Sequence, residues 1–103
     1  MENPWAGEVA VTVDGVAYRA RLTLGALAEL EATMEADSLI ALVTRFDEGR
    51  FATRDVVVLL AAGLRGAGWK GTPEDLLSAD IAGGPAEAVR VAGALLARAF
   101  VAP

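Results

Sequence analysis

The chain has 103 residues, which fits one domain and leaves no room for a second core of ordinary size. Its 14 acids against nine bases give a net charge of −5, and the bases, eight Arg and one Lys, run from Arg19 to Arg98 without clustering. Nucleic acid is therefore not expected as a direct partner, since phosphate affinity rests on clustered cations, and with no Cys and no His the chain cannot form a disulfide, a thiolate or imidazole metal site, or a Ser/His/Asp triad by itself.

The first residues, MENPWAGE, have no basic stretch followed by an apolar one, and no later segment approaches ~18 uninterrupted bulky apolar residues. The expectation is a cytoplasmic protein with no membrane span. A β-hairpin is expected at about 8–22. Asp14-Gly15 is a preferred pair for a two-residue type I′ turn, in which both residues take positive φ. That loop length sets the register: Val13 faces Val16, Val11 faces Tyr18 and Val9 faces Ala20 on an apolar side. Thr12 with Ala17, Ala10 with Arg19, and Glu8 with Arg21 form the wet side. A one-residue slip would turn Val9, Val11 and Val13 to solvent. An isolated ribbon is marginal in water, so this one must lie on helices or add strands from another chain.

Thr23 is placed to cap a helix over about 24–35, with Leu24, Leu27, Leu30 and Met34 on one face. Glu29 points away from that face, and Glu31 lies nearer its border. A second helix after Ser38, about 39–48, carries Leu39, Leu42, Val43 and Phe46 and ends at Gly49. The two are expected to pair antiparallel. The third helix, about 54–65, is expected to be capped by Thr53, with Asp55 favourable in its first turn. Val56, Leu59, Leu60 and Leu64 make one apolar face and Val57, Val58, Ala61 and Ala62 another, the pattern of a central helix, and Gly63 admits a close neighbour. Thr72, Pro73 and Asp75 open a short helix to about 80. Gly83-Gly84-Pro85 breaks the chain before a last helix at about 86–100, with Val89, Leu96 and Phe100 on one side and Val91 and Leu95 on another. The fold class expected is α+β, mainly α: one hairpin followed by four to five helices.

Chemistry is scarce. Glu29 with Glu31, and Asp47 with Glu48, are carboxylate pairs whose spacing points the members in different directions. No catalytic acid is assigned. Gly66-Ala67-Gly68-Trp69-Lys70-Gly71 matches G-x-G-x-x-G literally, yet a helix rather than a strand precedes it and no parallel sheet is available, so a tight loop is expected instead of a nucleotide site. No metal and no cofactor are expected. Trp5 and Trp69, in turn-rich sequence, are either partner anchors or caps on a small core. Arg45, Arg50 and Arg54 bracket one turn and are expected to pair with Asp47, Glu48 and Asp55.

Taken together, GEVAVTVDG, RLTLGALAELE, LVTRFDEGRF and GLRGAGWKGTPEDL resemble the small proteins of gene transfer agent and related prophage tail clusters, a family grouped with phage tail assembly chaperones. The resemblance runs from about Asn3 to Phe100. It implies a cytoplasmic, non-enzymatic accessory protein of tail morphogenesis that binds the tape-measure protein, the tail-tube protein or both. The alternative it leaves open is a minor structural tail or connector subunit. The residues expected to meet a partner are Val11, Tyr18, Leu24, Leu27 and Glu31 on the hairpin and first helix, Val57 and Val58 on the third, and Trp69. The hairpin edge is also a route to a homo-oligomer.

Overall fold

The structure, a computed structural model, describes residues 7–34 and 39–99. Trp5, Ser38, Phe100 and the side chains of Met34 and Leu39 lie outside the described residues. The order is β1 (Val9–Val13), β2 (Val16–Ala20), α1 (Leu24–Met34), α2 (Leu39–Asp47), α3 (Thr53–Gly66), α4 (Pro73–Leu76) and α5 (Gly84–Ala99).

The hairpin has the expected register, Val9 opposite Ala20, Val11 opposite Tyr18 and Val13 opposite Val16. Asp14 and Gly15 take φ of 50° and 82°, as a type I′ turn requires. Val9, Val11, Val13 and Ala20 are buried, whereas Val16, on the same face beside the turn, is exposed. The edge of β1 is partly covered. Asp14 N–H donates to the Asp80 carbonyl at 2.8 Å, Ala82 N–H donates to the Thr12 carbonyl at 3.0 Å, and Ile81 bridges Val13. The Asp14 carboxylate also accepts from Asp80 N–H at 2.9 Å.

Thr23 caps α1 as expected, its hydroxyl accepting from Ala26 N–H at 3.1 Å. The buried face of α1 differs from the expected stripe: Ala26 and Leu30 are buried, Leu27 is half-buried, and Leu24 is 86% exposed. Leu24 is the first residue of the helix, beyond the reach of the element beneath it. Helices α1 and α2 are not each other's main partners; α1 packs on α3 and α2 on α5. The buried residues of α3 and α5 supply the apolar surfaces on which they pack. At the end of α2, Arg50 N–H donates to the Arg45 carbonyl at 2.8 Å and Gly49 N–H to Phe46 at 3.1 Å, a Schellman closure with Gly49 at φ 72°.

The cap of α3 is Ala52, not Thr53. Asp55 does the capping work from inside the first turn, its carboxylate accepting from Ala52 N–H at 2.9 Å, which leaves Thr53 free to be helical. Asp75 does the same for Thr72 at 2.8 Å ahead of α4. That helix stops at Leu76, sooner than expected, because residues beyond it turn to lay Ile81 along β1. Helix α5 begins at Gly84, so Gly83-Gly84-Pro85 initiates it where a break was expected. Proline suits the first turn, where its missing N–H costs no hydrogen bond.

Helix α3 is central, with Val56, Val58 to Leu64 buried, and packs on α1, α4, α5 and β2. The chain leaving β2 crosses it closely: Arg21 N–H donates to the Gly63 carbonyl at 3.0 Å. A Cβ on Gly63 would lie 2.6 Å from Leu95 Cδ1 and 3.4 Å from Ala20 Cβ, and a Cβ on Gly66 would meet the Arg21 carbonyl oxygen. These two glycines, three apart, are the seat of the hairpin. On α5, Val91, Ala92, Leu95 and Leu96 are buried, while Val89, on the same side as Leu96 as expected, is exposed.

Candidate functional site

The face of α3 away from the hairpin is only partly covered. Val57 and Leu60 of α3, Phe51 before it, Leu77 and Ile81 after α4, and Val89 of α5 are among the side chains that line a depression of about 430 Å³. A second depression of about 290 Å³ lies between α2 and α5, with Val43, Phe46, Ala94 and Leu96 in its walls. Phe51 and Val89 belong to both, so the two form one surface. The rings of Phe46 and Phe51 stack with centroids 4.5 Å apart in the wall of the second depression. Leu77 is 70% exposed and Val89 36%, values out of keeping with side chains that have found a core.

Three charged residues stand in the walls: Asp80 in the first depression, Asp47 and Arg90 in the second. Arg90 is already committed. Its Nε and Nη2 donate to Glu87 at 2.8 and 2.7 Å, which holds the Glu87 carboxyl below its ordinary range and raises the guanidinium. Asp47 and Asp80 have no ion pair among the described residues. All nine basic residues lie among the described residues, and those in ion pairs are Arg19 with Glu8, Arg45 with Asp55, Arg50 with Glu48, Arg65 with Glu29, and Arg90 with Glu87. Asp47, expected to answer the arginines of its turn, is left unpaired, while Glu48 and Asp55 do so.

The residues expected to meet a partner are divided among separate places. Val11 is in the core under the hairpin, and Tyr18 is half-buried beside it. Leu24 and Glu31 are exposed on α1, and Leu27 is half-buried against the core. Val58 is buried, whereas its neighbour Val57 is half-buried in the wall of the larger depression. Trp69 packs against the core from the loop after α3. Of these eight, only Val57 belongs to the apolar surface; Phe51, Leu77 and Val89, which complete it, carry no motif. Their only signal is an apolar residue beside a turn or helix end.

Gly66-Ala67-Gly68-Trp69-Lys70-Gly71 forms the tight turn that closes α3. Trp69 N–H and Ala67 N–H both donate to the Leu64 carbonyl, and Gly71 lies against the Trp69 ring. Among the described residues no group of three acids could hold a metal ion, and no helix is long and apolar enough to cross a membrane.

Residues 6–102 match the model of a family described as phage tail tube protein, GTA-gp10. The chain belongs to this family. The GTA-gp10 match carries the gene transfer agent and phage tail parts of the resemblance; its description speaks of the tail tube and not of a chaperone. No curated protein and no solved structure matches the chain.

Proposed function

We propose that this GTA-gp10 family chain is a non-enzymatic, cytoplasmic accessory protein of tail assembly that holds the tape-measure protein, the tail-tube protein or both until they are built into the tail. The observation behind this reading is the exposed apolar surface centred on Phe51 and Val89. A stable monomer has little use for Leu77 and Val89 in solvent, whereas a protein that shields another chain's apolar helices needs such a surface. The net charge of −5 opposes self-association meanwhile. Co-expression with the tape-measure protein of the same gene cluster should give a soluble complex where that protein alone aggregates, and finished particles should lack this chain. Aggregation in both cases would defeat the proposal.

A second reading, a minor structural subunit of the tail, draws on the family description and on β2. In this hairpin Thr12 and Asp14 turn their backbone groups outward, so Ala17 and Arg19, on the outer edge of β2, do the same in alternation. Those groups have no hydrogen-bond partner among the described residues and could pair with a neighbouring subunit. Fixed stoichiometric copies in purified particles would favour it.

A further inference from the structure

We infer that the joined depressions take one amphipathic α-helix of a partner protein whose apolar stripe is bracketed by Lys or Arg, the cations seating on Asp80 at one end and Asp47 at the other. This rests on the protein-binding role proposed above and names the class of segment that is held.

The apolar side chains of the walls favour a helical guest. Beyond their first turns helices α2, α3 and α5 use their backbone groups internally, and the wall after α4 closes its own turns: Leu77 N–H donates to Glu74, Ala79 N–H to Leu76, and Gly84 N–H to the Ile81 carbonyl. An extended guest would lay most of its N–H and C=O groups on the side chains of Val57, Leu77 and Val89, which cannot bond them. A helix satisfies its own backbone and offers side chains alone. A rod suits the layout, since the two depressions meet at Phe51 and Val89.

Charge selects the guest's ends. Asp80 and Asp47 line different depressions, which meet at the apolar Phe51 and Val89, and no basic residue of the chain forms an ion pair with either. The one cation in the walls, Arg90, is held by Glu87 in two hydrogen bonds. The surface therefore presents two free negative charges to whatever lies on it, which attracts cations and repels acids.

The test uses the full chain and two fluorescent synthetic peptides about four turns long, alike in a Leu/Ala stripe and ended by Lys in one and by Glu in the other. The Lys-ended peptide should bind saturably and gain helix by circular dichroism, and it should bind about fivefold more tightly than the Glu-ended one, as two solvent-screened charge pairs allow. Leu77→Asp and Val89→Asp, at exposed positions, should abolish binding with the unfolding transition unchanged, and Asp47→Lys with Asp80→Lys should reverse the preference. Equal affinities, no saturable binding of either peptide, or full binding by Val89→Asp would each overturn the inference. So would a dimer that Val89→Asp dissolves, because the surface would then belong to a second copy. Loss of peptide binding beside a soluble tape-measure complex removes the groove and leaves the tail role; peptide binding with no tail-protein complex does the opposite.

Discussion

The two sides of α3 are both apolar and differ in how tightly their neighbours close over them. Toward the hairpin and α5, Gly63 brings Ala20 and Leu95 to near contact, and Leu59 and Leu64 are sealed. Toward α4 and the start of α5, Val57 and Leu60 face a depression of about 430 Å³ whose far walls, Leu77 and Val89, remain in solvent. The difference lies in the neighbours. A strand end running over a glycine approaches closely along its length, whereas a one-turn helix and a loop leave gaps between bulky side chains. The closed side carries stability, and the open side can be altered without unfolding the chain.

The sharpest way to break that contrast is to cut the closed side. Leu95→Ala, at a side chain 1% exposed, should cost about 2–5 kcal/mol in urea unfolding, because the cavity beneath the hairpin seat has little room to collapse. Gly63→Val should cost about 1–3 kcal/mol by overpacking against Leu95 and Ala20. A neutral result for either would mean that the seam is looser than its distances indicate. At the hairpin tip, where no side chain would be hit, Gly15→Val should lose about 1–2 kcal/mol through backbone strain alone, since φ is 82° there. The open side should respond far less: Leu77→Asp and Val89→Asp are expected within about 0.5 kcal/mol of the parent by the same measurement.

The smallest effect belongs to Glu87. Arg90 lowers its carboxyl in the folded chain, chiefly by hydrogen bonding, so the contribution of this pair is present above the ordinary carboxylate range. It is lost as pH falls through the lowered folded value. An NMR titration should show the Glu87 carboxyl returning toward its ordinary range in Arg90→Gln, and concentrated salt should weaken the difference, because the guanidinium is exposed and the carboxylate half-exposed.

Part of this was legible in the residues. Asp14-Gly15 with alternating valines left one register, Thr23 and Gly49 marked helix ends, and Thr72 with Asp75 marked another. Each of these signals lies within a few residues of the feature that it controls. Asp55 shows where that legibility stops: its position suits the helix dipole, yet it displaces Thr53 as the capping group by reaching back to Ala52 N–H. Val57 and Val58 show a further limit. Adjacent and chemically identical, they differ in burial because one points into the packed interior and the other into the depression.

By itself, then, the sequence determined the local vocabulary of this GTA-gp10 chain: a hairpin in a known register, helices in order, and a central helix apolar on both sides. Local steric and hydrogen-bond preferences suffice for those, since turn φ values, side-chain alternation and caps depend on near neighbours. Tertiary structure alone decided that Ile81 would lie along β1, that α1 and α2 would each choose a different partner, and that Phe51, Leu77 and Val89 would converge around Val57. Apolar periodicity records that a side chain avoids water without recording what will cover it, and convergence of residues from 51 to 89 depends on contacts that form only when the whole chain has packed.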